Sequence, residues 1–158
     1  MLLWRVSNHP DLTGVGGTLF EGRWHRKGQL VTYLAEHPAL ALLEHIVHLE
    51  IDPDDLPSTY KLSSVEVPAA VKIESLSEDD LDSIAAGWRS STNACQKASD
   101  PWFASAPTVL LGVPSVVVPG RNYLLNPDHP DARQITVTKV EELSFDERLS
   151  SLFKRAAS

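Results

Sequence analysis

The sequence predicts a compact α+β domain built around one cleft. Three observations carry that prediction. Runs rich in β-branched and aromatic residues, LLWRV at 2–6 and QLVTYLA at 29–35, read as strands. The segment after Pro38, ALALLEHIVHLE, has the spacing and the residue types of a helix. Strands and helices then alternate without the regular period that a βαβ fold would impose.

Each element has its own signal. After the first strand, Asn8, His9, Pro10 and Asp11 mark a turn, and Gly14, Gly16 and Gly17 mark a loop. Gly22 and Gly28 bracket RWHRK, so this basic piece is expected as a loop or hairpin. Pro38 suits the first turn of a helix, in which Leu40, Leu43, Ile46, Val47 and Ile51 are expected to share an apolar face. Glu44 then lies at the border of that face, with His48 one turn on.

Residues 53–57 break the chain, 60–67 read as a strand and 71–76 as a shorter one. Ser77 and Asp80 form a capping-box-like start for a helix reaching about Trp88. Residues 90–106 are expected as a helix interrupted at Pro101. Residues 108–119 read as one buried strand, or two short ones around Gly112-Val113-Pro114, closed by the segment from Tyr123 to Pro127. A turn at Asp128-His129-Pro130, a last strand over 135–143 and a short helix over 145–153 complete the chain. No repeat, linker or low-complexity stretch divides it, so a single domain over 1–158 is expected.

Composition narrows the function. With 158 residues and 42% of them hydrophobic, the chain can bury one substantial core. No apolar run approaches the length that spans a bilayer, and MLLWRVSNHP lacks the basic and apolar regions of a signal peptide. Cys95 stands alone, which excludes an internal disulfide and suggests a reducing, cytoplasmic compartment with a structural thiol. The net charge of -7 argues against nucleic-acid binding, which depends on neutralising phosphates. Against that acidic background, Arg23, His25, Arg26 and Lys27 form a local basic group, which suits a small anionic ligand better than a polymer.

Arg23, Tyr33 and Glu44 fall within 22 positions on a loop, a strand and a helix, an order that can bring them to one cleft. Arg23 can grip a phosphate bidentately, or it can belong to a solvated hairpin. Its loop is neither a Walker loop nor a dinucleotide-binding glycine fingerprint. Tyr33 can stack on a flat heterocycle, or it can be a core tyrosine. Glu44 can stabilise positive charge at a breaking glycosidic bond, or it can be a helix-surface glutamate. Ser115 lacks the context of a nucleophile elbow. No HExxH-like spacing occurs; His45 and His48, three apart on one helix, could ligate a metal, but no second clear ligand set accompanies them, so no metal is expected. Asn126, before Pro127, reads as a turn residue.

Taken in order, these signals form a pattern. Trp4-Arg5, G-R-W-H at 22–25, V-T-Y-L-A at 31–35, A-L-A-L-L-E-H at 39–45, V-P-S at 113–115 and N-Y-L-L-N-P-D-H-P at 122–130 resemble the RES-domain family. That family is named for an arginine, a glutamate and a serine. The resemblance runs from residue 3 to about 149, and SDPWF at 99–103 is similar to its Trp-containing segment. Arg121, and Ser99 in place of a glycine, depart from the pattern.

The resemblance implies a fold related to ADP-ribosyltransferases. It also implies a bacterial type II toxin that consumes NAD+ and arrests growth. Arg23, Tyr33 and Glu44 then match the catalytic positions, with Arg5, Trp24, Ser115 and Asn126 as substrate-binding residues. NAD+ would be substrate, with no resident cofactor or metal. The implied partner is an Xre-like antitoxin that blocks the pocket, with no direct role for nucleic acid or membrane; a homodimer is compatible with the chain. Transfer of ADP-ribose to a protein is the alternative activity, and a non-catalytic nucleotide- or partner-binding module is a third.

Overall fold

The computed structural model describes residues 1–48 and 58–149. Across them runs one seven-stranded sheet in the order β4-β5-β6-β2-β1-β3-β7. The strands are β1 (Leu2–Val6), β2 (Thr32–Ala35), β3 (Thr59–Glu66), β4 (Ile73–Ser75), β5 (Leu110–Pro114), β6 (Arg121–Leu125) and β7 (Thr136–Ser144). The helices are α1 (Gly16–Leu19), α2 (Pro38–His48), α3 (Glu78–Ile84) and α4 (Thr92–Ser105), with a 3-10 turn at Pro130–Gln134. β4 and β5 pair in parallel, and α3 and α4 lie in the crossover that such a pair requires. The other recorded pairs are antiparallel.

Two-residue alternation distributes the core. Leu111, Val113 and Leu124 pack with Trp24, Leu81, Trp88, Cys95 and Trp102 under α3 and α4. Their neighbours Leu110, Tyr123 and Leu125 turn to the other face and pack with Leu3, Leu34, Val65 and Val67. β5 is therefore buried on both faces, which is why its sequence reads as a continuous apolar run. Cys95 is a core thiol whose Sγ donates to the Trp88 carbonyl at 3.1 Å.

Several expectations hold. The first strand, the helix opening at Pro38 and the capping box match the sequence reading; the Ser77 hydroxyl accepts the Asp80 N–H while the Asp80 side chain accepts the Ser77 N–H. Others need correction. Pro101 does not interrupt its helix: α4 runs through it, because the carbonyl that loses its partner belongs to solvent-exposed Lys97. The apolar face of α2 is displaced, since Leu40 and Ala41 are buried whereas Leu43 and Val47 are 37% and 58% exposed. Ile51, the break at 53–57 and most of the helix expected over 145–153 lie outside the described residues. The segment 29–35 is a strand only from Thr32, because the Gln29 side chain accepts the Arg26 N–H and the Val31 N–H turns to the Gly14 carbonyl. The short helix α1 carried no sequence signal. β6, expected only as a closing segment, is a central strand.

β1 and β2 part company within the sheet. Among the described residues the register between them is the single pair Trp4↔Ala35, whereas β1 matches β3 over five pairs and β2 matches β6 over four. Beyond Trp4 the two strands are free to splay. The gap between Arg5-Val6 and Tyr33-Leu34 opens into the cavity described below, so residues from both faces line it.

The shared two-faced core makes a direct prediction. Leu124→Ala should cost about 2–5 kcal/mol, because Leu124 is fully buried between β2, β5 and α4. Urea unfolding checks this, and an unchanged midpoint would contradict the packing described.

Candidate active site

The cavity has a volume of about 540 Å³ and is lined by Arg5, Arg23, Tyr33, Glu44, His45, His48 and Asn122, with the glycine loop and the ends of β1 and β2 as walls. Its size fits a nucleotide-scale ligand.

Glu44 is its most tightly organised group. Helix α2 is preceded by His37, whose ring nitrogen accepts the Ala39 N–H at 3.2 Å and whose carbonyl accepts the Ala41 N–H. Two turns later Glu44 projects toward the ends of β5 and β6. Its Oε1 accepts the Ser115 hydroxyl at 2.7 Å and the Asn122 amide at 2.6 Å. The Ser115 Oγ also accepts the Val117 N–H at 3.0 Å, which aims its proton at Glu44. Glu44 Oε2 is left toward the cavity, with His48 Nε2 at 3.8 Å. The side chain is 20% exposed, so this is a fixed carboxylate with one oxygen open to a ligand.

The cationic groups line the same space. The Arg5 guanidinium donates to the Asp11 carbonyl, and burial lowers its pKa from the ordinary value, although arginine stays charged. Arg23 is half-buried and donates to the Arg89 carbonyl at 3.3 Å. Its turn, closed by a bridge between Gly22 and His25, is held from α4. The buried Gln96 amide donates to the Gly22 carbonyl at 3.0 Å and to the His25 carbonyl at 3.1 Å. The Ser99 hydroxyl donates to the Trp24 carbonyl. Arg26, in contrast, turns outward to a bidentate pair with Asp100. The basic cluster therefore divides, with Arg23 facing the cavity and Arg26 serving as a brace.

Tyr33 is half-buried, and burial raises the pKa of its hydroxyl far above the ordinary tyrosine value. That hydroxyl meets His25 Nδ1 at 2.8 Å and the Trp24 N–H at 3.2 Å.

The expected residues separate into groups. Arg5, Arg23, Tyr33 and Glu44 share the cavity, and Ser115 supports Glu44 from behind. Trp24 borders the cavity, but its indole is 2% exposed and tilts against Trp88 at 6.1 Å, which makes it core. Asn126 is not among the lining residues; its side chain accepts the Asp128 N–H at 3.0 Å, so it is the turn residue that its proline neighbour suggests. The asparagine of the site is Asn122, which sequence reasoning missed. Its signal was a polar amide in step with Leu124 on a buried strand, the register that places it opposite Ala35 and on the face of Tyr33.

A model of the RES domain matches residues 2–146. The chain belongs to the RES-domain family. Among its relatives is "Toxin Res" of Pseudomonas putida, 39% identical over 150 residues that cover 94% of this chain and 99% of that protein. The "Prs ADP-ribosylating toxin" of Sphingobium sp. is 36% identical over 155 residues, 92% of this chain and 94% of that one. The kinship of this RES domain is thus with that family's toxins. The fold is shared with a chain of the M. tuberculosis MbcT–MbcA toxin–antitoxin complex, at a TM-score of 0.64, 19% identity and coverage of 98% of this chain and 87% of that one.

The histidines give this RES domain a pH dependence. Burial depresses the pKa of His25, outweighing its hydrogen bond to Phe20 and the charge of Glu21; burial and then His48 depress that of His45. The unfolded chain therefore binds more protons below the ordinary histidine value of about 6.5. Stability should be full above about pH 6.5 and fall as the pH drops through the depressed folded values. Urea midpoints at about pH 8 and 5.5 test the sign, and a midpoint that rises on acidification would refute it.

Proposed function

We propose that this RES-domain protein is a toxin that destroys NAD+ by breaking the bond between nicotinamide and ribose. The observation that carries this reading is the Glu44 carboxylate, held by Ser115 and Asn122 with its second oxygen open to a cavity bearing Arg5, Arg23 and Tyr33.

The chemistry asks for little else. The C1′–N bond breaks heterolytically, and nicotinamide leaves as a neutral molecule with the bonding electron pair. Positive charge then develops at C1′ and the ring oxygen, where a fixed carboxylate stabilises it without reorganising. Two hydrogen bonds to Oε1 hold Glu44 still and leave Oε2 for the ribose. Arg5 and Arg23 suit the pyrophosphate, and the face of Tyr33 suits the cationic nicotinamide ring. Water attacking C1′ gives ADP-ribose and releases a proton; phosphate gives phosphorylated ADP-ribose. Neither route needs a metal, a resident cofactor or a covalent nucleophile. Ser115 serves here as a support and not as a nucleophile: its proton is given to Glu44 and its oxygen accepts the Val117 N–H.

The implied partner is an antitoxin of the Xre-like kind that covers this cavity, and the implied compartment is the cytoplasm, in keeping with one reduced, buried thiol. A second reading is ADP-ribosylation of a protein, favoured by the name of the 36% identical relative from Sphingobium. The acceptor distinguishes the two, and it is chosen by what can enter the cavity.

Nicotinamide release from NAD+ by purified protein, with and without phosphate, tests the proposal by mass spectrometry. Free or phosphorylated ADP-ribose is the expected product, and Glu44→Ala should lower the rate by about 10²–10³-fold while remaining folded. A folded Glu44→Ala protein with the parent rate would remove Glu44 from its role. ADP-ribose found on a protein instead would favour the second reading.

A further inference from the structure

We propose that His25 is a positioning residue that fixes Tyr33 through a single imidazole tautomer. The activity arm of this proposal rests on the NAD+ reading; the tautomer does not.

His25 is 6% exposed and lies at the end of the glycine-bounded turn, against β2. Its Nε2 is 2.9 Å from the Phe20 carbonyl oxygen. A carbonyl only accepts, so Nε2 carries the proton and Nδ1 is bare. The bare Nδ1 lies 2.8 Å from the Tyr33 oxygen and accepts the phenolic proton. The Trp24 N–H donates to the same oxygen at 3.2 Å. The Tyr33 hydroxyl is therefore committed on both counts, its proton to His25 and a lone pair to Trp24.

This arrangement decides how Tyr33 can serve the site. Its proton points into the loop, so the residue offers the cavity an aromatic surface rather than an acid. The hydrogen bonds also lock the ring torsion, because Tyr33 is held at its tip as well as at its backbone. The rings of His25 and Tyr33 lie 5.5 Å apart and tilted by 60°. Gly22 permits the contact, since a Cβ there would sit 2.6 Å from His25 Cε1, 2.7 Å from Nδ1 and 3.0 Å from the Tyr33 oxygen. The same turn carries Arg23. One imidazole thus links the orientation of the stacking ring to the placement of the phosphate-facing arginine.

The two ring nitrogens can be tested separately. Asn at position 25 places Oδ1 where Nδ1 stood, which keeps the acceptor for Tyr33 and loses the link to Phe20. Gln places its amide where Nε2 stood, which keeps the link to Phe20 and loses the acceptor. The experiment measures kcat and KM for NAD+ consumption by the parent, His25→Asn and His25→Gln, with a thermal midpoint for each and the ¹⁵N chemical shifts of the parent imidazole. The expected result is the Nε2–H tautomer, with kcat/KM lowered about 10²-fold in His25→Gln and much less in His25→Asn at matched stability. An Nδ1–H tautomer would overturn the proposal. So would folded variants in which Gln equals or exceeds Asn, because the link to Phe20 would then be the one that matters. A parent inert toward NAD+ would reject the proposed activity, and the tautomer would still decide the His25–Tyr33 link. That measurement needs no variant, so a substitution that fails to fold does not rescue the idea.

Discussion

One carboxylate oxygen, Glu44 Oε1, ties together three parts of the fold. It belongs to α2, and it receives hydrogen bonds from Ser115 at the end of β5 and from Asn122 at the start of β6. These donors come from 71 and 78 positions away, so the carboxylate is positioned by long-range structure and not by its own helix. Two short hydrogen bonds to a charged acceptor are stronger than neutral ones and restrict rotation of the whole side chain. The oxygen left over faces the cavity. The three groups together hold a fixed anion at the cavity wall.

The cavity itself follows from the sheet. β1 and β2 are neighbours that meet at Trp4↔Ala35 and then diverge, which leaves a wedge inside an otherwise continuous sheet. Opening a sheet exposes backbone groups that would have paired, and loops must take over their partners. Here the Val31 N–H turns to the Gly14 carbonyl. Gly14 has a φ of +68°, and a Cβ on it would stand 2.6 Å from the Val31 nitrogen, so glycine is required for this approach. The glycine-rich loop is thus a lining for the wedge, closing it on the side where the basic turn begins.

That turn owes its order to α4. Gln96 and Ser99 are buried at 4% and 1% exposure and bond to three carbonyls of the turn, those of Gly22, Trp24 and His25. The Arg26–Asp100 pair on the same helix face has side chains 44% and 40% exposed, so solvent screens it and its contribution is small. Buried hydrogen bonds to the turn's carbonyls decide the geometry, and the ion pair decorates it. Trp24 contributes from the same turn by filling the core beneath the site against Trp88.

The sequence by itself determined the class of fold, most element positions and the family, because those depend on local chemistry and on motif order. The strand at Leu2–Val6, the Pro38 helix start and the Ser77–Asp80 capping box are each encoded within a few residues. Arg23, Tyr33 and Glu44 were picked out by their order on a loop, a strand and a helix, and Arg5 by the family resemblance; all four line the cavity. The choice between Asn122 and Asn126 was not local. Both lie in RNYLLNP, and only the register of β6 against β2 turns one toward Glu44 and leaves the other in a turn. The buried face of α2, the passage of α4 through Pro101 and the inward turn of His25 were likewise settled by packing. Tertiary structure decided these points because a side chain's partners across a sheet are set by which strands lie beside it, and no short stretch of sequence contains that information.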